Sequence, residues 1–347
     1  MTWEVWIIIS TYYNLIEYIK HPVFGMYLLG LLAYCFLLNS SLYPSPASQV
    51  KCSHDANEND LVLRTPINIS KFISEKNETE LTDYIEQFFV GLLEGDGTIT
   101  VDFVSNRSKR VRIFIALKNL EDNRFMFDLI VKYIGGRVAI ERKNEYVTWY
   151  ATNKTDLAKV FAILARYPLL STRKQCQLSF AKNFINSTKD ISKEEFIRLR
   201  NEKYKNQEAM LDLYNKNFGL PHYFPGWLSG FIESEGHFKL VKRANNFINS
   251  SQFIIGQNNE KHLLKAILLY FNKEEKTISF ILSKEGVTYY KIHLSGKDFR
   301  SSLASHFNSY PLLGIRHKEY MAWMRGEYHS EGKGCVIALP LRGGNSK

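Results

Sequence analysis

The feature that most constrains this chain is that it repeats itself. Gly91-Leu92-Leu93-Glu94-Gly95-Asp96-Gly97 returns as Gly230-Phe231-Ile232-Glu233-Ser234-Glu235-Gly236, 139 residues later. Glu145–Tyr150 is matched by Glu285–Tyr290 at a separation of 140, and Tyr167-Pro168-Leu169-Leu170 by Tyr310-Pro311-Leu312-Leu313 at 143. Three matches in one order, with drift that small insertions explain, indicate an internal duplication. The unit is far longer than a solenoid repeat, so each copy reads as a whole subdomain. In each, a helix (about 84–95 and 224–234) runs into the glycine-rich segment. Alternating strands follow, then a helix (123–133 and 260–270), two more strands, and closing helices near 155–184 and 297–328.

The flanks read differently. Residues 1–40 form an apolar leader in which Pro22 to Leu38 is an almost uncharged run of 17 residues. That length suits a membrane anchor, a targeting segment or residual upstream coding sequence, and all three stay open. Residues 41–83 turn polar, as a linker does. The first unit is expected over 84–185, a charged, helix-forming linker over 186–223, the second unit over 224–330 and a tail over 331–347.

Charge follows the same partition. The chain carries +10 overall. Residues 1–50 hold one basic and two acidic residues, and residues 51–83 hold four and seven. Residues 84–347 therefore carry +14, from 40 Lys and Arg against 26 Asp and Glu. Such an excess suits a polyanionic partner, because neutralising phosphates releases condensed counterions. The four cysteines, Cys35, Cys52, Cys176 and Cys335, are scattered, which indicates neither a zinc site nor a disulfide framework.

The paired helix ends carry the chemistry. Gly91 and Gly95 are four apart, as are Gly230 and Ser234, so each pair lies on one helix face and lets another backbone approach closely. In a duplicated chain the partner of each helix is its copy. An ordinary glycine C-cap accounts for one such end but poorly for two matched ones. Asp96 and Glu235 sit at the C-terminal ends of these helices, where the helix dipole disfavours an anion. If the helices pack, both acids crowd together, and a divalent cation would offset the repulsion. Hard oxygen ligands suit Mg²⁺, which binds through few carboxylates plus substrate phosphates.

With these residues in view, Phe89–Gly97 and Leu228–Gly236 resemble the two signature motifs of single-chain LAGLIDADG homing endonucleases, and the likeness covers roughly residues 84–328. The resemblance implies an α+β fold of two pseudo-twofold-related αββαββα units. In it a saddle of antiparallel strands would lie in the DNA major groove and the two motif helices would form the central interface. It implies that Asp96 and Glu235 bind the catalytic metal, with Gly95 and Ser234 beside them at the metal site. It also suggests a Gln or Lys at the end of the second strand, here Lys118 and Gln257, each 22 residues past its acid. A basic residue after the Pro-containing turn would stabilise developing phosphate charge. Arg173 or Lys174 and Arg316 or Lys318 are the candidates, with Arg173 and Arg316 taken as the catalytic pair. DNA contacts fall to Arg107, Lys109, Arg110, Arg112, Arg137, Arg142, Lys239, Lys242, Arg243, Gln252 and Lys291. Sequence does not separate base readers among them from phosphate contacts.

The reading that follows is a monomeric, Mg²⁺-dependent, site-specific endonuclease for a long, pseudo-asymmetric DNA duplex, of mitochondrial residence. The alternatives are an intron RNA maturase, with or without cleavage, and a membrane-anchored interaction protein built around residues 1–40.

Overall fold

The computed structural model of the protein describes residues 69–185, 187, 189–242, 248–328 and 337–338. The expectations for residues 1–40 and for most of the 331–347 tail lie outside these residues, as does Arg243.

A short helix α1 (Ile69–Glu75) precedes the first motif helix, α2 (Glu78–Gly95). The polar linker expected to reach residue 83 therefore stops short of it. Asn77 accepts from the Glu80 backbone N–H at 2.9 Å while Glu80 accepts from the Asn77 backbone, a reciprocal cap that starts α2 six residues early. Then come β1 (Gly97–Ser105), β2 (Ser108–Lys118), α3 (Glu121–Tyr133), β3 (Arg137–Glu141), β4 (Tyr146–Ala151), α4 (Lys154–Arg166) and α5 (Thr172–Lys182). The closing stretch is two helices because Pro168 cannot continue the first.

The charged connection folds as α6 (Lys193–Glu202) and α7 (Gln207–Lys216). Phe196 of α6 is buried against Phe103, Phe180 and Phe184, which docks the connection on the first unit. The second unit repeats the order: α8 (Phe224–Glu235), β5 (His237–Lys242), β6 (Ile248–Asn258), α9 (Lys261–Tyr270), β7 (Ser279–Leu282), β8 (Thr288–Ser295), α10 (Lys297–Ser309) and α11 (Ile315–Arg325). A two-residue ladder pairs 327–328 with 337–338. Among the described residues no helix is long and apolar enough to cross a membrane.

Each unit holds one antiparallel four-stranded sheet, ordered β1-β2-β4-β3 in the first and β5-β6-β8-β7 in the second. The α+β fold of two αββαββα units is thus the observed one, each unit gaining a second closing helix. Register refines the duplication. Ile99 pairs with Ile113 and Phe238 with Phe253, so the second strands match at a separation of 140. Ile113 pairs with Ala151 and Phe253 with Leu294, so the fourth strands match at 143, not at the 140 suggested by Glu145–Tyr150 and Glu285–Tyr290. Local likeness in aromatic strands misplaced that match by three residues. Ladder pairing decides it, because a shift of one residue already exchanges the faces.

Strand alternation divides each sheet into a core face and an open face. Ile99, Val101, Ile113, Ile115, Val147 and Trp149 are buried on one side of the first sheet, and Phe253, Ile255, Ile292 and Leu294 on the second. Helices cover these apolar faces, and the other faces carry polar residues that stay exposed or half-buried, among them Asp102, Arg110, Arg112, Lys239, Gln252 and Lys291.

Candidate functional site

The two motif helices meet at their glycines. A Cβ built on Gly91 would collide with the Trp227 carbonyl and crowd the Phe231 backbone N, and one on Gly230 would collide with the Phe88 carbonyl and crowd the Leu92 N. The contact is reciprocal, as a twofold relation requires. One turn further on, Gly95 lies against Ser234 of the other helix. The Ser234 hydroxyl donates to Phe231 O of its own helix at 2.9 Å. Close backbone approach along this face brings both helix ends to one corner of the molecule.

Asp96 and Glu235 stand at that corner, Asp96 as the C-cap of α2 and Glu235 as the last residue of α8. Asp96 keeps an accessible outer side, while the protein around it pushes its carboxyl up to about 6 by burial. Glu235, half-buried, is pushed to about 7, first by burial and then by the charge of Asp96. Arg316 and Lys174 act in the opposite direction on both acids. The Lys174 ammonium donates to Gly97 O, and burial holds its pKa down to about 8. Arg316 also pairs with Glu319 on its own helix.

Two buried acids hold these basic residues in place. Glu94 accepts from the backbone N–H groups of Leu170 and Ser171, the latter at 2.6 Å, and from Trp227 Nε1 at 3.2 Å. It thereby caps the start of α5, which carries Lys174. Glu233 accepts from Gly314 N at 3.1 Å and Arg316 N at 2.9 Å, and so caps α11. Burial pushes both carboxyls up to about 7. A second cap comes from the opposite unit in each case. Glu260 accepts from Thr172 Oγ1 at 2.8 Å and Arg173 N at 3.0 Å, and Asn123 Oδ1 accepts from Ile315 N at 3.2 Å. Each of these two helices is therefore fixed at its N-terminus by both units.

Next to this corner the open faces present their polar rows. On the first sheet Asp102 faces Arg110 and lies diagonal to Arg112, and Arg137 stacks on Tyr150 with its guanidinium carbon 5.2 Å from the ring centre. Arg107 reaches Asp190 at 3.4 Å, Lys109 donates to Lys189 O at 2.9 Å, and Arg142 lies over Tyr146 at 4.6 Å from the left-handed β3–β4 turn. These three sit at hairpin ends, away from the middle of the sheet. On the second sheet Lys239 pairs with Gln252, Gly256 with Lys291 and Ile254 with His293, all on the open face. Lys242 ends β5.

The LAGLIDADG endonuclease family model matches residues 89–184 and 228–325, together more than half of the chain. The chain belongs to the LAGLIDADG endonuclease family. A Dictyostelium citrinum protein named "Probable intron-encoded endonuclease aI3" is 35% identical over 248 residues, which cover 69% of this chain and 93% of that protein. A protein of the same name from Debaryomyces hansenii is 29% identical over 302 residues, 79% of this chain but 41% of its own length, so this chain spans less than half of that relative. Among solved structures, the LAGLIDADG homing endonuclease I-GzeII in complex with its DNA target shares the fold, with a TM-score of 0.53 at 17% identity over 69% of this chain and 88% of that one.

Two LAGLIDADG expectations change once geometry is considered. Lys118 and Gln257 are not equivalent, although each follows its acid by 22 residues. The second hairpin holds one more residue between matched positions, so Gln257 corresponds to Leu117, and Lys118 to Asn258. Gln257 hydrogen-bonds Glu235, whereas Lys118 is exposed at the end of β2. After Pro168 it is Lys174, not Arg173, whose charge acts on the acids; Arg173 is exposed and gives its backbone N–H to Glu260. After Pro311 Arg316 acts on the acids, while Lys318 pairs with Asp122 at 2.8 Å. Sequence reading missed Glu94 and Glu233, though their recurrence two residues before each acid was a usable signal. It also missed Glu260 and Asn123, whose roles arise between distant segments.

Proposed function

We propose that this protein is a site-specific double-strand DNA endonuclease that hydrolyses phosphodiesters with divalent metal held by Asp96 and Glu235. Family membership supports the reaction class. The observation that carries the site is the pair of acids, one from each motif helix, whose pKa values are raised by burial and, for Glu235, by its neighbour.

The donor set fits a hard divalent cation. Two carboxylates that disfavour their own charges gain from a cation between them, and oxygen ligands of this number suit Mg²⁺ completed by water and phosphate. Among the described residues no group of three His, Cys, Asp or Glu competes as a metal site. When bound, Mg²⁺ supplies Lewis-acid stabilisation of phosphoryl oxygens and acidification of water. The chain's own residues supply the remainder. Lys174 and Arg316 stand where charge develops on the transferred phosphoryl group, held by helix ends that do not reorganise during the reaction. Gln257 orients the Glu235 carboxylate. The open sheet faces bind the duplex, the second with Lys239, Gln252 and Lys291 and the first with Arg110, Arg112 and Arg137. Arg107, Lys109 and Arg142 at the hairpin ends contact phosphates.

The protein acts as a monomer, because the two units complete one site between them, and the intron-encoded relatives support organellar residence. Binding RNA alone does not require two opposed acids, so the maturase reading gains nothing from this corner. Incubating the full chain with Mg²⁺ and a duplex of the uninterrupted host-gene junction should give a double-strand break that chelation abolishes. Cleavage that survives both Asp96→Asn and Glu235→Gln would sink the mechanism.

A further inference from the structure

The open face of the first sheet carries an arrangement that a generic basic surface lacks. Asp102 is opposite Arg110 in the ladder and diagonal to Arg112. Arg110 donates to Asp102 Oδ2 from Nε at 3.3 Å and from Nη2 at 3.2 Å. Arg112 donates from Nη2 to Oδ1 at 3.0 Å, with its Nε 2.6 Å from Oδ2 but off the hydrogen-bond line. Both guanidinium groups thus turn their inner edge, Nε and Nη2, towards one carboxylate. The Arg112 guanidinium also lies over the Phe114 ring at 5.7 Å, which restrains it from the side. The Arg110 pair is exposed and the Arg112 pair only half-buried, and surface pairs of this kind contribute little to stability, so stability alone explains the arrangement poorly. What the carboxylate does is orient.

Orientation matters because the guanidinium fork reads guanine through two parallel donors, which a mobile side chain finds only at an entropic cost. With the inner edges on Asp102, the outer edges remain for a base. The second sheet differs: its open face carries Lys239, Gln252, Lys291 and His293, and among its described residues no carboxylate stands there. Lysine is a point charge on a flexible stem and discriminates poorly among bases.

We propose that the first sheet is a preformed guanine reader in which Asp102 aligns Arg110 and Arg112 on two guanines of one half-site, while the other half-site is read more loosely. This inference rests on the DNA-binding part of the proposed function. Arg110 and Arg112 are two residues apart on one strand, roughly 7 Å along it. That length is about two base steps at 3.4 Å each.

The test is a binding selection from a random duplex library with the full chain in chelator, so that its readout does not depend on cleavage. The expected site has two guanines about two steps apart in one half. Asp102→Ala should flatten preference at both positions by about ten- to a hundredfold, and Arg112→Lys at one of them, as loss of bidentate readout requires. The other half-site should keep its profile in both variants. An enriched site without that guanine pair, a preference unchanged in both variants, or no enriched sequence at all overturns the inference. If the guanine pair is selected but the selected duplex is not cut with Mg²⁺, the inference stands and the nuclease reading falls.

Discussion

The corner that brings Asp96 and Glu235 together and the two open sheet faces have diverged to different degrees. At the corner the halves remain near copies: Gly91 answers Gly230, Glu94 answers Glu233, Asp96 answers Glu235, and Lys174 and Arg316 approach from equivalent helices. On the sheets the first face is a braced set of arginines, aromatics and two carboxylates, Asp102 and Glu141, and the second a set of lysines, amides and imidazole. The difference follows from what each region meets. Under the proposed function both strands of a duplex present the same phosphodiester, so the corner is held to one chemistry, whereas unequal half-sites place no such demand on the faces.

The comparison can be broken most directly at the acids. Asp96→Asn and Glu235→Gln should each lower the single-turnover cleavage rate by about a thousandfold or more while leaving DNA affinity within a fewfold, since several kcal/mol of charge stabilisation is lost. Unequal effects differing by orders of magnitude would show that the corner is not symmetric in function.

The glycines test symmetry in packing. Gly91→Ala and Gly230→Ala each force a methyl into the opposing backbone, so each should destabilise by about 3 kcal/mol or more, the upper range for overpacking. Thermal melts should show matching losses. A tolerated substitution at one position would mean that the helices do not meet there as described.

A third prediction uses a position where the halves differ. His306 is fully buried, bonded to Ser229 Oγ and Tyr270 OH at 3.0 Å each, and burial holds its pKa down to about 3. At the 143-residue separation its counterpart is the buried Ile163. The unfolded chain binds this proton at its ordinary pKa near 6.5 and the folded chain does not, so stability present above pH 6.5 is lost as pH falls towards 3. Read as the difference between the chain and His306→Leu, His306's own slope should approach about 1.4 kcal/mol per pH unit, because the raised carboxyls of Glu94, Asp96, Glu233 and Glu235 act in the opposite direction over the same range in both proteins. His306→Leu should remove that slope; an unchanged slope would reject the assignment.

The smallest effects concern the crossed caps. Glu260→Ala leaves buried donors on α5 unsatisfied and should cost about 1–3 kcal/mol, whereas Asn123→Ala removes one bond from α11 and should cost about 1 kcal/mol. Urea titrations of the two variants should rank them in that order.

Much of this was readable in the chain itself. The recurrence of Gly91–Gly97 at 230–236, the alternating strands and the basic excess after residue 84 determined the duplication and the fold class and put Asp96 and Glu235 forward as the candidate acids, because helix contact and strand facing depend on local period and on residue size. The tertiary structure alone decided that Gln257 bonds Glu235, that Lys174 rather than Arg173 acts on the acids, and that Glu260 and Asn123 reach across to cap the other unit's helix. Those facts depend on hairpin length, helix rotation and contacts between segments about 90 to 190 residues apart. A single-residue change in a loop exchanges which side chain points inward, and neither spacing from a motif nor residue type records that exchange.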